Sequence, residues 1–320
     1  ILEITLNNGW DPNSGKKLGL ETGDPRTFTS YEQLYEAYHK QMLHFVNLKL
    51  SVNNYIERMF ALYAPATFLS LFIDDCITKG KDYYNGGARY NTTYIQCTGL
   101  GTTTDCFATI KKHVFEDKRY TMDELLTAVA ANFEGHEKMR QYIMNRTPFF
   151  GNDDEYADTI AVKVYEDLVK AIKGHPNTRG GETQLNMLST TCHNYFGSVC
   201  HATPNGRLAH FAISDGTSPA HGADTNGPTS VIKSLGKLDQ TQSGGTLLNM
   251  RFIPALLKRE EDLDKLVSLI RAYFKMGGHH VQFNIVDTQT LLDAQKKPED
   301  YKDLLVRVAG YSDYCNDMTE

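Results

Sequence analysis

A glycine near the end of the sequence lies in a segment whose residue types could support chemistry on the backbone itself. Residues 304–306 are Leu-Leu-Val, an apolar run that predicts a short buried strand, and Gly310 follows shortly after it. Glycine has no Cβ, so its backbone adopts angles that other residues avoid and lets other atoms approach closely. For a glycine taken alone, the simplest interpretation is a tight turn. The flanking residues Arg307, Tyr311 and Ser312 make this segment more specific than a turn.

The segment Arg-Val-Ala-Gly-Tyr-Ser at 307–312 resembles the radical-bearing loop of the glycyl radical enzymes. In that family the glycine α-carbon stores an unpaired electron, so the resemblance implies that Gly310 is the radical site. It also implies that Arg307, Tyr311 and Ser312 support the loop. The chemistry explains the need for glycine, because the amide nitrogen donates electron density and the carbonyl withdraws it when the radical centre is planar. A Cβ would crowd that planar centre and obstruct access to the α-hydrogen.

The resemblance extends over nearly the whole chain, because the sequences of several loops and strands match those of the lyase branch of the family. It implies an enzyme with an α/β fold, the C-terminal part of a ten-stranded α/β barrel that has helices outside and the radical loop inside. The matching segments are residues 85–91 (NGGARYN), 203–207 (TPNGR), 214–219 (SDGTSP), 224–229 (DTNGPT), 244–249 (GGTLLN) and 278–284 (GHHVQFN).

Within this branch, three further segments resemble the members that dehydrate trans-4-hydroxy-L-proline to a pyrroline carboxylate, and they favour this reaction. Much of this sequence is shared by relatives that dehydrate glycerol or propane-1,2-diol, or that cleave carbon–nitrogen or carbon–carbon bonds. These reactions remain alternatives. A non-catalytic radical carrier is another alternative, although a carrier needs only the last segment of this chain. The segments that favour hydroxyproline are residues 2–9 (LEITLNNG), 23–27 (GDPRT) and 190–193 (TTCH).

The resemblance implies a radical lyase reaction on a small-molecule substrate. An activating enzyme that uses S-adenosylmethionine and an iron–sulfur cluster would take a hydrogen atom from Gly310, so we expect a protein-derived radical and no bound cofactor. Thr190 lies in a segment that resembles one touching substrate, which makes it a candidate for the pocket wall. The alternative, a loop threonine that bonds to its own backbone, stays open.

One expected element does not occur in the sequence. The family needs a cysteine in a Gly-Cys-[Val/Ile]-Glu type loop, which forms the thiyl radical that attacks the substrate, and none of the six cysteines has this context. We therefore expect the thiyl cysteine in a missing N-terminal half, which belongs either to the same, larger protein or to a separate piece of a split enzyme. Residues 1–320 would be a single C-terminal part of a larger barrel domain, in which residues 185–320 include the glycyl radical region. The resemblance also implies a homodimer and anaerobic function, because oxygen would cleave the backbone at Gly310.

Composition and motif spacing exclude several other classes of function. The 320 residues are 41% hydrophobic with a net charge of −6, so no basic surface indicates nucleic-acid binding. No apolar stretch is long enough to predict a membrane span, and scattered cysteines without a C-x-x-C pair are typical of a cytoplasmic protein. The histidines fit no zinc pattern, since His279 and His280 would face opposite sides of a strand. We expect no metal site.

The hydrophobic pattern predicts the elements that must position the glycine loop. Strands are predicted at 246–252, 280–285 and 304–308, and the helices between them indicate an α/β arrangement with a parallel component. Residues 82–104 and 185–245, rich in Gly, Asn, Ser and Thr, are predicted to be irregular, and the second of these segments to be an active-site wall. Helices are predicted at 31–63, with Ser30 and Gln33 forming a capping box, and at 68–78, 122–144, 154–172, 260–276 and 288–296.

Overall fold

A computed structural model describes residues 1–307 and 311–318. Helices and strands alternate along it, so the predicted α/β class is confirmed. The strands are β1 Trp10–Asp11, β2 Lys16–Lys17, β3 Thr93–Gln96, β4 Thr183–Asn186, β5 Leu248–Arg251, β6 Val281–Asn284, β7 Leu305–Arg307 and β8 Ser312–Tyr314. The helices are α1 Leu2–Leu6, α2 Tyr31–Tyr63, α3 Thr67–Ser70, α4 Cys76–Lys79, α5 Leu100–Ile110, α6 Met122–Ala130, α7 Glu137–Arg146, α8 Glu155–Ile172, α9 Cys192–Val199, α10 Pro228–Leu235, α11 Glu260–Lys275 and α12 Thr288–Lys296.

Parallel strand pairing forms the framework of the molecule. Strand β3 pairs with β4, and β5 pairs with β6, both in parallel. A parallel bridge between Met187 and Thr246 joins the two pairs, and the Met187 amide donates a 2.8 Å hydrogen bond to the Gly245 carbonyl. The four strands therefore follow one another in the order β3, β4, β5, β6. Their carboxyl ends lie at the same edge, which is where open α/β sheets place their ligands.

Helix α5 was not predicted from the sequence, because residues 82–104 were expected to be irregular. Leu100, Cys106, Phe107 and Ile110 are all buried, and Asp105 is buried with them. A helix buried on all sides shows no amphipathic period, so the pattern that identifies surface helices is absent. Helix α5 packs against α8, whose Glu155–Ile172 bounds agree with the prediction.

The long helix α2 has its predicted bounds, and its N-terminus explains them. The Ser30 side chain accepts a hydrogen bond from the Gln33 amide, as expected for an N-cap. The Gln33 side chain accepts from the Thr29 amide at 2.7 Å, so the capping box is shifted by one residue from the predicted form.

Two helix predictions are wrong because single residues adopt left-handed backbone angles. The segment 68–78 contains only the short helices α3 and α4, with Asp75 at φ 76° between them. The segment 122–144 is divided into α6 and α7 by Asn132 at φ 52° and Phe133 at φ 60°. Left-handed angles in residues other than glycine are not visible in a hydrophobic pattern.

The C-terminal elements agree with the predicted order of strand, helix, strand, helix and strand. Helix α11 connects the parallel strands β5 and β6, as a crossover connection requires. The last strand differs, because β7 pairs with β8 in an antiparallel hairpin. In the part of the chain that the structure describes, no helix combines the length and hydropathy needed to cross a membrane.

Candidate functional site

The β7–β8 hairpin brackets the glycine segment. Arg307 pairs with Ser312, Val306 pairs with Asp313, and Leu305 pairs with Tyr314. The Arg307 guanidinium also donates to the Ser312 hydroxyl at 3.4 Å. The two predicted supports Arg307 and Ser312 are therefore brought together at the base of the hairpin. Gly310 itself, with Val308 and Ala309, lies outside the described residues.

Tyr311 stands directly before β8 and is 51% exposed. About half of the Tyr311 side chain is therefore accessible to solvent, and the described part of the hairpin does not bury it. Its role as a support of the loop stays a prediction.

Asn284 is a residue at this site that the sequence analysis did not single out. It ends the parallel strand β6, and its side-chain amide donates a 2.8 Å hydrogen bond to the Arg307 carbonyl. The Asn284 carbonyl accepts a 2.9 Å hydrogen bond from the Phe252 amide. One residue thus joins the end of β5, β6 and the base of the hairpin. The only signal in the sequence is a polar residue at the end of a strand, which is too common to be specific.

Thr190 lies just beyond the carboxyl end of β4, in an exposed turn. Its backbone is left-handed, with φ 47°, which is uncommon for a β-branched residue and indicates local strain. Its hydroxyl donates to the Ser189 carbonyl at 2.8 Å, and its place in the pocket wall stays a prediction. Within residues 1–307 and 311–318, no hydrogen bond joins Thr190 to the hairpin.

A polar loop underlies the Thr190 turn and fixes it to β5. The Ser189 hydroxyl accepts from the Gly216 amide at 3.0 Å, and the Asn249 amide side chain donates to the Asp215 carboxylate at 2.7 Å. Gly216 has φ 38°, and a Cβ there would lie 2.5 Å from the Leu247 carbonyl oxygen. This loop lies within the segment predicted to be an active-site wall, and its backbone is in close contact with the residues around it.

A histidine pair lies beside this loop. The rings of His193 and His221 are 6.4 Å apart between centroids. Burial lowers the pKa of His193, and the nearby His221 lowers it further, while the Asp215 carboxylate raises it. The described residues contain no group of three His, Cys, Asp or Glu side chains able to hold a metal ion.

Two family models match the sequence. The model described as Pyruvate formate lyase-like matches residues 1–197, and the model described as Glycine radical matches residues 213–316. The chain belongs to the pyruvate formate lyase-like family. Residue 310 lies inside the part matched by the Glycine radical model.

Curated relatives of this pyruvate formate lyase-like chain are lyases. The chain is 53% identical over 319 residues to the trans-4-hydroxy-L-proline dehydratase of Clostridioides difficile, covering 100% of this chain and 40% of that protein. It is 39% identical to the isethionate sulfite-lyase of Oleidesulfovibrio alaskensis, covering 99% of this chain and 39% of that protein. The chain therefore spans about two fifths of the length of these relatives.

Solved structures of the family share the fold over nearly the whole chain. The hydroxyproline dehydratase of Clostridioides difficile, solved with trans-4-hydroxy-L-proline bound, matches with a TM-score of 0.96 and 52% identity, covering 99% of this chain and 40% of that chain. The B12-independent glycerol dehydratase of Clostridium butyricum, solved with glycerol bound, matches with a TM-score of 0.94 and 38% identity, with the same coverage. The likeness confirms the predicted fold class and the glycyl radical family.

Proposed function

We propose that the protein containing this chain is a glycyl radical dehydratase that converts trans-4-hydroxy-L-proline to a pyrroline carboxylate. The observation that carries the proposal is the 53% identity to a hydroxyproline dehydratase along the entire chain. The hairpin that pairs Arg307 with Ser312 supports the assignment of Gly310 as the radical site, because it places both flanking residues at the base of one loop.

The proposed reaction begins with the removal of a hydrogen atom from Gly310 by an activating enzyme of the S-adenosylmethionine and iron–sulfur type. Gly310 then takes a hydrogen atom from a cysteine thiol, and the resulting thiyl takes one from a substrate carbon next to the carbon that carries the hydroxyl. A base removes a proton, and the hydroxyl leaves as water with a proton from a general acid. The product radical regains its hydrogen atom from the cysteine thiol, and the thiyl formed in this step takes a hydrogen atom back from Gly310, which restores the glycyl radical. The net change is the loss of one water molecule from the substrate.

We assign to this chain the radical glycine and part of the pocket wall, including Thr190. None of its cysteines lies in the Gly-Cys-[Val/Ile]-Glu context, so we propose that the thiyl cysteine lies in a segment outside these 320 residues. Residues 1–320 then form one part of a larger barrel domain that functions as a homodimer. The free cysteines support a reducing, cytoplasmic location.

A second candidate is a dehydratase for glycerol or propane-1,2-diol. The TM-score of 0.94 to a glycerol dehydratase favours it, because the same fold serves that substrate. Its sequence identity of 38%, against 52% for the hydroxyproline enzyme, makes it the weaker candidate.

The deciding experiment is an anaerobic assay of the intact protein with its activating enzyme and trans-4-hydroxy-L-proline. We expect formation of the pyrroline carboxylate together with a glycine-centred electron paramagnetic resonance signal. Gly310→Ala should lose both. Gly174→Ala is the matched control, because no atom lies within 4 Å of a Cβ added at Gly174 and its left-handed φ of 84° adds only about 1–2 kcal/mol of strain, so it should keep both.

Two outcomes would contradict parts of the proposal. A radical signal without turnover of hydroxyproline removes the substrate and directs the assay to glycerol and propane-1,2-diol. Turnover by the Gly310→Ala variant removes the radical role of Gly310.

A further inference from the structure

A cavity of about 290 Å³ is lined by residues of helices α5 and α7 and of the loop at 205–223. Apolar side chains form part of its wall, including Met144, Phe149 and Leu208. Neither Thr190 nor any described residue of the β7–β8 hairpin lines it. A concave space with apolar walls is typical of small-molecule sites, so its few polar wall residues decide what it can hold.

Asp105 is a fully buried wall residue whose carboxyl group is only half satisfied. Its Oδ1 accepts a 2.8 Å hydrogen bond from the Phe150 amide, whereas Oδ2 has no partner within residues 1–307 and 311–318. Burial raises the pKa of this carboxyl well above its ordinary value of 3.8, which favours the protonated form. Since Oδ1 already accepts a hydrogen bond, the proton belongs on Oδ2. Asp105 therefore offers the cavity an O–H donor.

The two arginines of the wall lack a carboxylate partner. Arg140 donates through Nε to the Gly206 carbonyl at 2.7 Å, and Arg207 donates to the Leu208 carbonyl at 3.1 Å and to the Thr203 hydroxyl at 3.2 Å. Among the described residues, the salt bridges of arginines involve neither of them. Burial lowers the pKa of Arg207, as expected for a cation without a close counter-ion. The cavity wall thus carries positive charge that no neighbouring carboxylate pairs with.

Asn205 adds a further donor to the wall. Its side-chain oxygen accepts from the Thr203 hydroxyl at 2.7 Å and from the Arg207 amide at 3.4 Å, which fixes the orientation of its amide group. No described residue accepts from its Nδ2. Hydrogen-bond donors beside uncompensated positive charge favour an anion with several acceptor oxygens.

We propose that this cavity binds a small molecule that carries a carboxylate on a compact apolar body. The carboxylate accepts from the Arg140 guanidinium and from the Asp105 O–H, and the apolar body lies against Met144 and Phe149. A cationic ligand is disfavoured, because it would meet the positive charges of Arg140 and Arg207. The inference goes beyond the proposed function, since it involves no step of the radical reaction.

The test uses the intact protein without the radical and therefore needs no activating enzyme. Fluorine NMR titrations compare 4-fluorobenzoate with the neutral 4-fluorobenzamide and the cationic 4-fluorobenzylamine. We expect saturable binding of the benzoate, about tenfold tighter than that of either analogue, because only the carboxylate makes a charge-assisted contact with Arg140. Absence of saturable benzoate binding, or equal binding of the three probes, would overturn the proposal.

Substitutions on α7 assign the binding to this cavity. Arg140→Gln should weaken benzoate binding by about tenfold. Arg146→Gln is the matched control, because it removes the same charge from an exposed position on the same helix, outside the cavity lining, and it should leave binding unchanged. Equal effects of the two substitutions would show general electrostatic attraction and remove the site.

A variant of Asp105 tests its role as a donor. Asp105→Asn keeps the size of the side chain, an oxygen for the Phe150 amide and an N–H donor in place of Oδ2. Benzoate binding should therefore stay within about threefold of wild type. Loss of binding in folded Asp105→Asn protein would contradict the protonated carboxyl.

Met144→Glu covers the case in which Arg140→Gln does not fold. Met144 is 46% exposed and lies one helical turn after Arg140, so a carboxylate at this position can reach the same guanidinium and compete with the ligand. We expect benzoate binding to weaken by about tenfold, and Asn145→Glu, at an exposed position outside the cavity lining, to have no such effect. Unchanged binding in Met144→Glu would overturn the proposal. Failure to convert hydroxyproline would leave these binding results unaffected.

Discussion

The glycines Gly216 and Gly222 differ in how closely the surrounding backbone approaches their α-carbons. Gly216 lies under the Thr190 turn, with the Leu247 and Met187 carbonyl oxygens 2.5 and 2.8 Å from the position of an added Cβ. Gly222 lies farther along the chain at φ 77°, with no atom within 4 Å of such a Cβ. Both glycines have a left-handed backbone, but only Gly216 has atoms close to an added Cβ. Alanine substitutions at the two positions therefore distinguish the cost of backbone strain from the cost of steric contact.

Gly216→Ala should destabilise its loop strongly, by roughly 3 kcal/mol or more, because two backbone oxygens must move. Gly222→Ala should cost only the left-handed penalty of about 1–2 kcal/mol. Hydrogen exchange of the amides in 214–218 and in β5 measures the difference. Equal protection in both variants would contradict the close approach.

The thiols provide a second test at this scale. Cys106 is 1% exposed, and burial raises the pKa of its thiol to about 12, whereas Cys192 is exposed on α9. Since the thiolate is the reactive form, iodoacetamide at pH 8 should leave Cys106 unmodified in the native protein. Peptide mass spectrometry should find it labelled only after denaturation. Labelling of Cys106 at the same rate as in the denatured protein would contradict its burial.

At the scale of elements, helix boundaries depend on individual caps. The N-terminus of α6 has a complete capping box, in which the Thr121 hydroxyl accepts from the Glu124 amide at 3.1 Å and the Glu124 carboxylate accepts from the Thr121 amide at 2.8 Å. This box fixes the beginning of α6, although the sequence analysis placed only the start of the helix and not the box.

Thr121→Ala should lower the local stability of α6 by about 1 kcal/mol, because the Glu124 amide loses its acceptor, the Thr121 hydroxyl. Thr127→Ala is the matched control, since Thr127 is exposed inside the same helix and alanine is the better helix former. Hydrogen exchange of α6 should therefore be faster in the first variant and unchanged or slower in the second. The same direction of change in both would contradict the cap.

On the scale of the whole molecule, a buried histidine makes the stability depend on pH. His113 is 1% exposed, and its Nε2 lies 2.9 Å from the Thr147 hydroxyl, which itself donates to the Ile143 carbonyl. Thr147 must therefore accept from Nε2–H, which leaves Nδ1 unprotonated, buried and without a hydrogen-bond partner among the described residues. Burial lowers the pKa of His113 below its ordinary value of 6.5, although Asp117, whose carboxylate is 3.7 Å from Nδ1, opposes the shift, while Lys112 and Arg119 reinforce it.

The sign follows from this lowered pKa. Below pH 6.5 the unfolded chain takes up a proton that the folded protein does not, so the stability present above pH 6.5 is lost as the pH falls towards the folded pKa. His113→Gln should reduce the decline of the apparent thermal midpoint between pH 7.5 and 5.5 by about 2 °C. His39→Gln, on the partly exposed side of α2, serves as control. An identical decline in all three proteins would contradict the role of His113.

Sequence pattern predicted the elements that repeat regularly and face both solvent and core. Helices α2, α8, α11 and α12 and strands β5 and β6 were expected close to their observed bounds, because one apolar face gives each a clear period. Helix α5 and the breaks around Asp75 and Asn132 were missed, because a fully buried helix has no period and a left-handed angle has no signature.

The sequence by itself determined the family and the residue proposed to bear the radical, because a short loop with demanding backbone chemistry tolerates few residue types. Tertiary structure alone decided which contacts form at the hairpin that flanks it and at the Thr190 turn. The bond from Asn284 to Arg307 joins residues that are 23 positions apart, and the contacts of Gly216 come from Met187, directly after β4, and from Leu247, directly before β5. Such contacts depend on how strands pack side by side, which the order of residues along one strand does not specify.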